Sequence, residues 1–223
     1  ILPVAIEFMD RPCIRATEAF AKAGYPDCEA LLIIEVEGSD PEIAEQLARI
    51  KAIALSHSPV EFREAADEDQ AKRIWLGRKS AFGAMGQIND YMCLDGTIPV
   101  SSLPYVLRRI GEMSAEFGLD VGNVFHAGDG NMHPLILYNA NTPGDLERCE
   151  AFGAEILKLC VEVGGCLTGE HGVGIEKRDL MSVQFAPDDL EAQMRIKDVF
   201  DPKWLLNPAK VFPLDITASR RAC

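Results

Sequence analysis

Four residues have types and spacings that could do metal chemistry: His126, His133, Glu170 and His171. The first two flank Asp129-Gly130 inside the stretch 123–138, NVFHAGDGNMHPLILY, which is apolar on both sides. Asp-Gly between two apolar runs is the strongest short-range signal for a β-hairpin. With Asp129 and Gly130 as the two loop residues, Gly128 pairs with Asn131, Ala127 with Met132, and His126 with His133. Directly opposed residues share a sheet face with Cβ atoms about 4.5–5.5 Å apart, so two imidazoles placed this way can chelate one ion. On one continuous strand, residues seven apart would point to opposite faces. The chain has four histidines. A third, His171, follows Glu170 in a second glycine-rich break at 164–174, GGCLTGEHGVG. The competing reading makes both hairpin histidines ordinary sheet residues beside a tight turn. The gathering of imidazole and carboxylate at two breaks favours a polar site.

Two histidines and a carboxylate with open positions make a catalytic rather than a structural metal site. His126, His133 and Glu170 would be the ligands. No HExxH occurs, which excludes a zincin-type helix site. Zn²⁺, Fe²⁺ and Mn²⁺ all suit these donors. Such an ion can hold a hydroxyl and lower its pKa, and a free base beside it, His171, could take the proton. The glycines around Glu170 and His171 let backbone approach a ligand closely. A substrate carboxylate would need an arginine. Arg78 is a candidate, and a solvated helix arginine is an equal reading of it. Arg108 and Arg109 fit the solvated reading better, because Leu107 and Ile110 take the buried face.

The totals bound the class. The chain has 223 residues, 48% of them hydrophobic, enough for one large or two small domains with a core. No apolar run approaches the roughly 20 residues of a membrane helix. A net charge of −13 argues against nucleic acid and against electrostatic docking to an anionic bilayer. Seven cysteines without a CxxC pair suit free thiols in a reducing compartment, hence the cytoplasm. Peripheral attachment at the inner face of a membrane, within a larger complex, stays open. For Cys93, Cys149, Cys160 and Cys166 core packing is the default. The opening ILPVAIEF, without an initiator methionine, reads as part of a longer protein.

The elements that must position these groups follow from periodicity and caps. Strands are expected at 2–8, at 30–37 as a central strand, at 60–65 and at 91–94. Helices are expected at 14–22, from a Ser39/Glu42 capping box onward, at 67–85, after Ser101 or Ser102, at 144–163, near 176–182 and at 188–200. Short strands, a hairpin and no phosphate-binding glycine loop favour an α+β, ferredoxin-like fold, with a mostly antiparallel sheet covered by helices on one face. One domain over 1–213 is expected, with 214–223 as a disordered tail.

Three stretches, VFHAGDGNMHPLILYN, GGCLTGEHGVGIEKRDLM and FDPKWLLNPAKVFP, resemble the C-terminal region of FAD-linked oxidases of the vanillyl-alcohol oxidase type. Within that family the chain is most similar to the glycolate oxidase catalytic subunit and to D-lactate and D-2-hydroxyglutarate dehydrogenases. IEFMDRPC and WLGRKSAFGAMG through YMCLDGTIP extend the likeness over nearly the whole chain. The resemblance implies an N-terminal FAD-binding domain outside this chain, with this chain as the substrate or cap domain. It implies that His126, His133 and Glu170 hold a divalent metal that grips a 2-hydroxy acid, and that His171 is the base while hydride passes to FAD. It matches Arg78 to the arginine that pairs with the substrate carboxylate, and Asn207 to a segment returning toward the flavin. Leu135 stands where some relatives carry asparagine, and Cys93 where 2-hydroxyglutarate enzymes carry a substrate-binding lysine. Both departures favour a small acid such as glycolate or lactate. Ala209 stands where glycine is usual.

The expected partners are the small acid, the FAD-binding domain, and further oxidase subunits or an electron acceptor, with no nucleic acid and no transmembrane segment. Two other readings remain: a self-contained His-His-Glu metallohydrolase, and a ferredoxin-like binding module without chemistry.

Overall fold

The computed structural model describes residues 3–218. Strand β1 (Ala5–Asp10) runs into helix α1 (Arg11–Ala21), where the Asp10 carboxylate caps the helix by accepting the Cys13 N–H. β2 (Ala30–Glu35) leads to α2 (Asp40–Ser56), whose Ser39/Glu42 capping box forms as expected. Asp67 caps α3 (Glu68–Met85), and β3 (Asp90–Cys93) follows. After a short 3₁₀ turn come α4 (Leu103–Phe117), β4 (Val121–His126), β5 (Pro134–Tyr138) and α5 (Asp145–Glu162). The chain closes with α6 (Met181–Gln184), α7 (Pro187–Phe200) and α8 (Leu214–Thr217).

The strands form one antiparallel sheet in the order β2-β1-β4-β5-β3. The class is α+β, as the sequence suggests. Helices, however, cover both faces. In β4 the neighbours Val124 and Phe125 are both fully buried. Val124 packs with α1 and α3, beside Met9, Cys13, Ala81 and Met85. Phe125 packs with α4 and α5, beside Ile110, Phe152 and Ile156. Successive side chains face opposite ways along a strand, so the sheet is the middle of three layers. The unbroken apolar run of β5, PLILY, carries that message, since strands buried on both faces do not alternate.

Three local expectations also change. The apolar run at 30–35 is an edge strand paired only with β1, with Leu32 56% exposed. Only Ile33 of this run is buried, so its hydrophobicity reports neither burial throughout nor the number of hydrogen-bonded neighbours. Residues 60–65 form no strand because no ladder partner lies beside them; Arg63 instead reaches Glu61 and the Gly24 carbonyl. The expected disordered tail begins with ordered chain: α8 buries Thr217 fully, and Ile216 packs against two clusters. Residues 219–223 lie outside the described residues. Among the described residues no helix is long and apolar enough to cross a membrane, and six cysteines are free thiols.

Candidate metal and substrate site

The hairpin forms, with a register two residues away from the simplest one. Val121 pairs with Ile136, Asn123 with Pro134, and His126 with Asn131 across the four-residue loop 127–130. His133 therefore stands diagonal to His126 rather than opposite it. A slip of one residue would have sent it to the other face; a slip of two preserves the face. The rings remain 5.4 Å apart, edge to face. Gly130 sits at φ +75°, and a Cβ there would come within 2.0 Å of the Ile98 carbonyl oxygen.

Each hairpin imidazole has its Nδ1 occupied. His133 Nδ1 donates to the Leu94 carbonyl at 3.0 Å. His126 Nδ1 lies 2.8 Å from Glu7 Oε1. A carbonyl and a carboxylate only accept, so both rings carry a proton on Nδ1, and in the neutral imidazole it is Nε2 that keeps the lone pair. Burial pulls the His133 pKa down from its ordinary value, despite the Leu94 contact and the Glu170 charge.

The second glycine break supplies the rest. Glu170 Oε1 lies 3.0 Å from His133 Nε2, 3.8 Å from His171 Nε2 and 4.0 Å from His126 Nε2. The rings of His133 and His171 stack with centroids 5.2 Å apart. Donor atoms from Asp95, His133, Glu170 and His171 fall within 4.8 Å of one another, as do those from Cys93, His133 and His171. His126 stands outside these tightest groups and joins through Glu170. His133 is nearly sealed, His126 is part-exposed, and Glu170 and His171 are exposed, so the cluster opens on one side.

Asp95 builds this loop. It is fully buried and accepts the N–H groups of Gly169 at 3.1 Å, Glu170 at 3.0 Å and His171 at 2.9 Å, together with the Thr168 hydroxyl. Lys177 Nζ donates to it at 3.0 Å. The segment 94–98 is a seam between both glycine breaks: Met132 N–H bonds the Gly96 carbonyl, Ile98 N–H bonds Gly130, and Thr97 pairs with Cys166. From the sequence, Asp95-Gly96 is only a turn closing β3.

The remaining sequence candidates are distributed unevenly. Arg78 is buried, which removes the solvated reading; its Nε and Nη2 each lie 2.9 Å from Glu7 Oε2. Asn207 is exposed in left-handed backbone (φ +47°). Its segment is tied to the end of the glycine break, through Val211 N–H to the Gly174 carbonyl and Arg178 to the Ala209 carbonyl. Leu135 is fully buried in the α1/α3 layer. Cys93 is less an ordinary core thiol than a neighbour of the site, and burial with the Asp95 charge pushes its pKa up to about 12.

Sequence reasoning missed Glu7, Asp95 and Lys177. One signal was available: Glu7 shares a strand face with Met9, and a charged residue on an apolar face is buried only when paired.

A model of the FAD-linked oxidase C-terminal domain matches residues 1–211. The chain is 49% identical over 215 residues to glycolate oxidase subunit GlcD of Escherichia coli (strain K12), covering 96% of this chain and 43% of that protein. It is 31% identical over 216 residues to a D-lactate dehydrogenase of Archaeoglobus fulgidus, covering 95% and 46%. The chain thus spans less than half the length of these relatives. A solved structure of 4-ethylphenol oxidase from Gulosibacter chungangensis, in its isoeugenol complex, shares the fold with a TM-score of 0.64 at 15% identity, over 95% of this chain and 48% of that one.

Proposed function

This chain belongs to the family of FAD-linked oxidase C-terminal domains, and from that premise we propose that it is the substrate-binding domain of an FAD-dependent enzyme oxidising a small 2-hydroxy acid, of the glycolate or D-lactate type, to the 2-oxo acid. The names of its relatives support the substrate class. The observation that carries the chemistry is the contact between His133 Nε2 and Glu170 Oε1. With the imidazole neutral these are two acceptors 3.0 Å apart, and such a contact repels unless a proton or a metal ion lies between them.

His126, His133 and Glu170 fit a divalent cation, Zn²⁺, Fe²⁺ or Mn²⁺, with a side left open for substrate. When bound, the cation supplies Lewis acidity and FAD, held mainly by another domain, supplies a hydride acceptor. The protein's own residues do the rest. Arg78 turns the edge not taken by Glu7 toward the substrate carboxylate. His171, with its Nε2 beside Glu170, takes the hydroxyl proton as C2 loses hydride, so that one proton and one hydride leave the acid together. The Asp95-braced loop keeps Glu170 and His171 at fixed separation. Asn207 belongs to a segment that would reach toward the flavin, and Leu135 and Cys93 leave no amide or ammonium for a second carboxylate. A cytoplasmic enzyme working with its FAD-binding domain and further oxidase subunits fits these features.

The test is elemental metal analysis of the full-length protein and its His133→Ala variant, with anaerobic bleaching of flavin absorbance by glycolate and D-lactate. One equivalent of metal in the wild type, lost in the variant together with bleaching, is the expected result. Bleaching by a metal-free wild type would overturn the metal-assisted reading.

A further inference from the structure

The geometry points to Glu7 as a positioning residue that holds the metal ligand His126 and the substrate arginine Arg78 in one arrangement, an inference that rests on the metal-site reading above. Glu7 is nearly sealed from solvent, with 7% of its side chain exposed, and its two oxygens are divided between two partners. Oε2 accepts the Arg78 Nε–H at 2.9 Å, with Nη2 in ion-pair contact at the same distance. Oε1 faces His126 Nδ1 at 2.8 Å. A carboxylate that pairs with an arginine alone frequently takes its fork with both oxygens, one for each N–H. Here one oxygen is withheld from the arginine and given to the histidine.

That division has chemical consequences. Accepting the Nδ1–H fixes the His126 tautomer and leaves Nε2 unprotonated toward Glu170, and the partial transfer of charge makes Nε2 a better donor to a cation. Metal-ligating histidines characteristically carry such a carboxylate partner. Arg78, engaged along its Nε–Nη2 edge, is left with Nη1 to offer elsewhere, so Glu7 also sets the direction in which the guanidinium faces. β1 meets β4 in the register Glu7 to His126, which places the two residues as a directly opposed pair on one face. α3 brings Arg78 down onto that same face. Three elements thus converge on one buried carboxylate outside the ligand set.

The experiment is the Zn²⁺ dissociation constant of the full-length protein, measured by competition with a chromophoric chelator, for wild type, Glu7→Gln and Glu7→Asp, alongside far-UV circular dichroism and thermal melting. Glu7→Gln is expected to weaken Zn²⁺ binding about 10–100-fold, the usual effect of removing such a partner, and to raise the KM for the 2-hydroxy acid. Glu7→Asp keeps the charge but retracts it by one methylene, and its affinity should fall between. A purely structural role would lower the melting temperature and leave the affinity of the folded protein unchanged; that result overturns the inference. Should Glu7→Gln fail to fold, unchanged Zn²⁺ affinity in Glu7→Asp overturns it equally. Wild type that takes up no Zn²⁺ removes the metal-site reading itself, whereas wild type and Glu7→Gln loading alike removes Glu7 alone.

Discussion

The Asp95 carboxylate and the Lys177 ammonium meet at 3.0 Å with 0% and 2% of their side chains exposed. The same carboxylate accepts three successive N–H groups of the 169–171 backbone, so the ion pair is also the floor of the loop that presents Glu170 and His171. Replacing one partner strands the other as a buried charge, which typically costs about 3–5 kcal/mol. Asp95→Asn should therefore lose about that much in denaturant unfolding. Surviving folded protein should bind metal more weakly, because the donors that shape the loop lose their anionic acceptor. Undiminished stability in the variant would contradict this account.

The acid limb of the stability curve carries the same signature. Burial works to raise the Asp95 pKa, but hydrogen bonds from Thr168, the Glu170 N–H, Lys177 and the His171 N–H outweigh it and hold the carboxyl well below its ordinary range. A folded value below the unfolded one adds stability that is fully present above the unfolded pKa of about 3.9 and is lost as pH falls through the folded value. The urea midpoint should fall steeply from about pH 4 downward. Asp95→Asn should flatten that slope, which a pH series of unfolding curves would detect.

The His171 ring lies beside Glu170 and stacks on His133. His171→Ala should leave metal content at the wild-type level. Flavin bleaching by the 2-hydroxy acid should slow by about 10²–10⁴-fold, the usual contribution of a positioned base. Loss of metal along with rate would instead make His171 a ligand.

Gly130 offers a test of the hairpin that involves no ligand. Its φ of +75° and the Ile98 carbonyl 2.0 Å from any added Cβ leave no room for a side chain. Gly130→Ala should cost at least about 1–3 kcal/mol from backbone strain alone, read as a lowered melting temperature. Because the turn sets the approach of His126 and His133, the loss should extend to metal affinity. Gly111→Ala, inside helix α4 with open space at its Cβ, is the control and should hold or raise stability, by up to about 1 kcal/mol.

What the sequence by itself determined is local. The hairpin at 123–138, the Ser39/Glu42 capping box, most helices and the two histidines on one face all follow from turn chemistry and periodicity, which act over a few residues. The histidines stayed together despite the two-residue change in register because face depends on parity, and parity was kept. Tertiary structure decided which groups support them. Glu7 lies 119 residues from His126 and 71 from Arg78, and Asp95 lies 82 from Lys177. Nothing in local spacing links residues so far apart. It also decided that the sheet is covered twice and that the run at 30–35 sits at an edge, because strand order follows from which elements pack together. Burying a carboxylate requires partners, and only the folded chain can bring them to it.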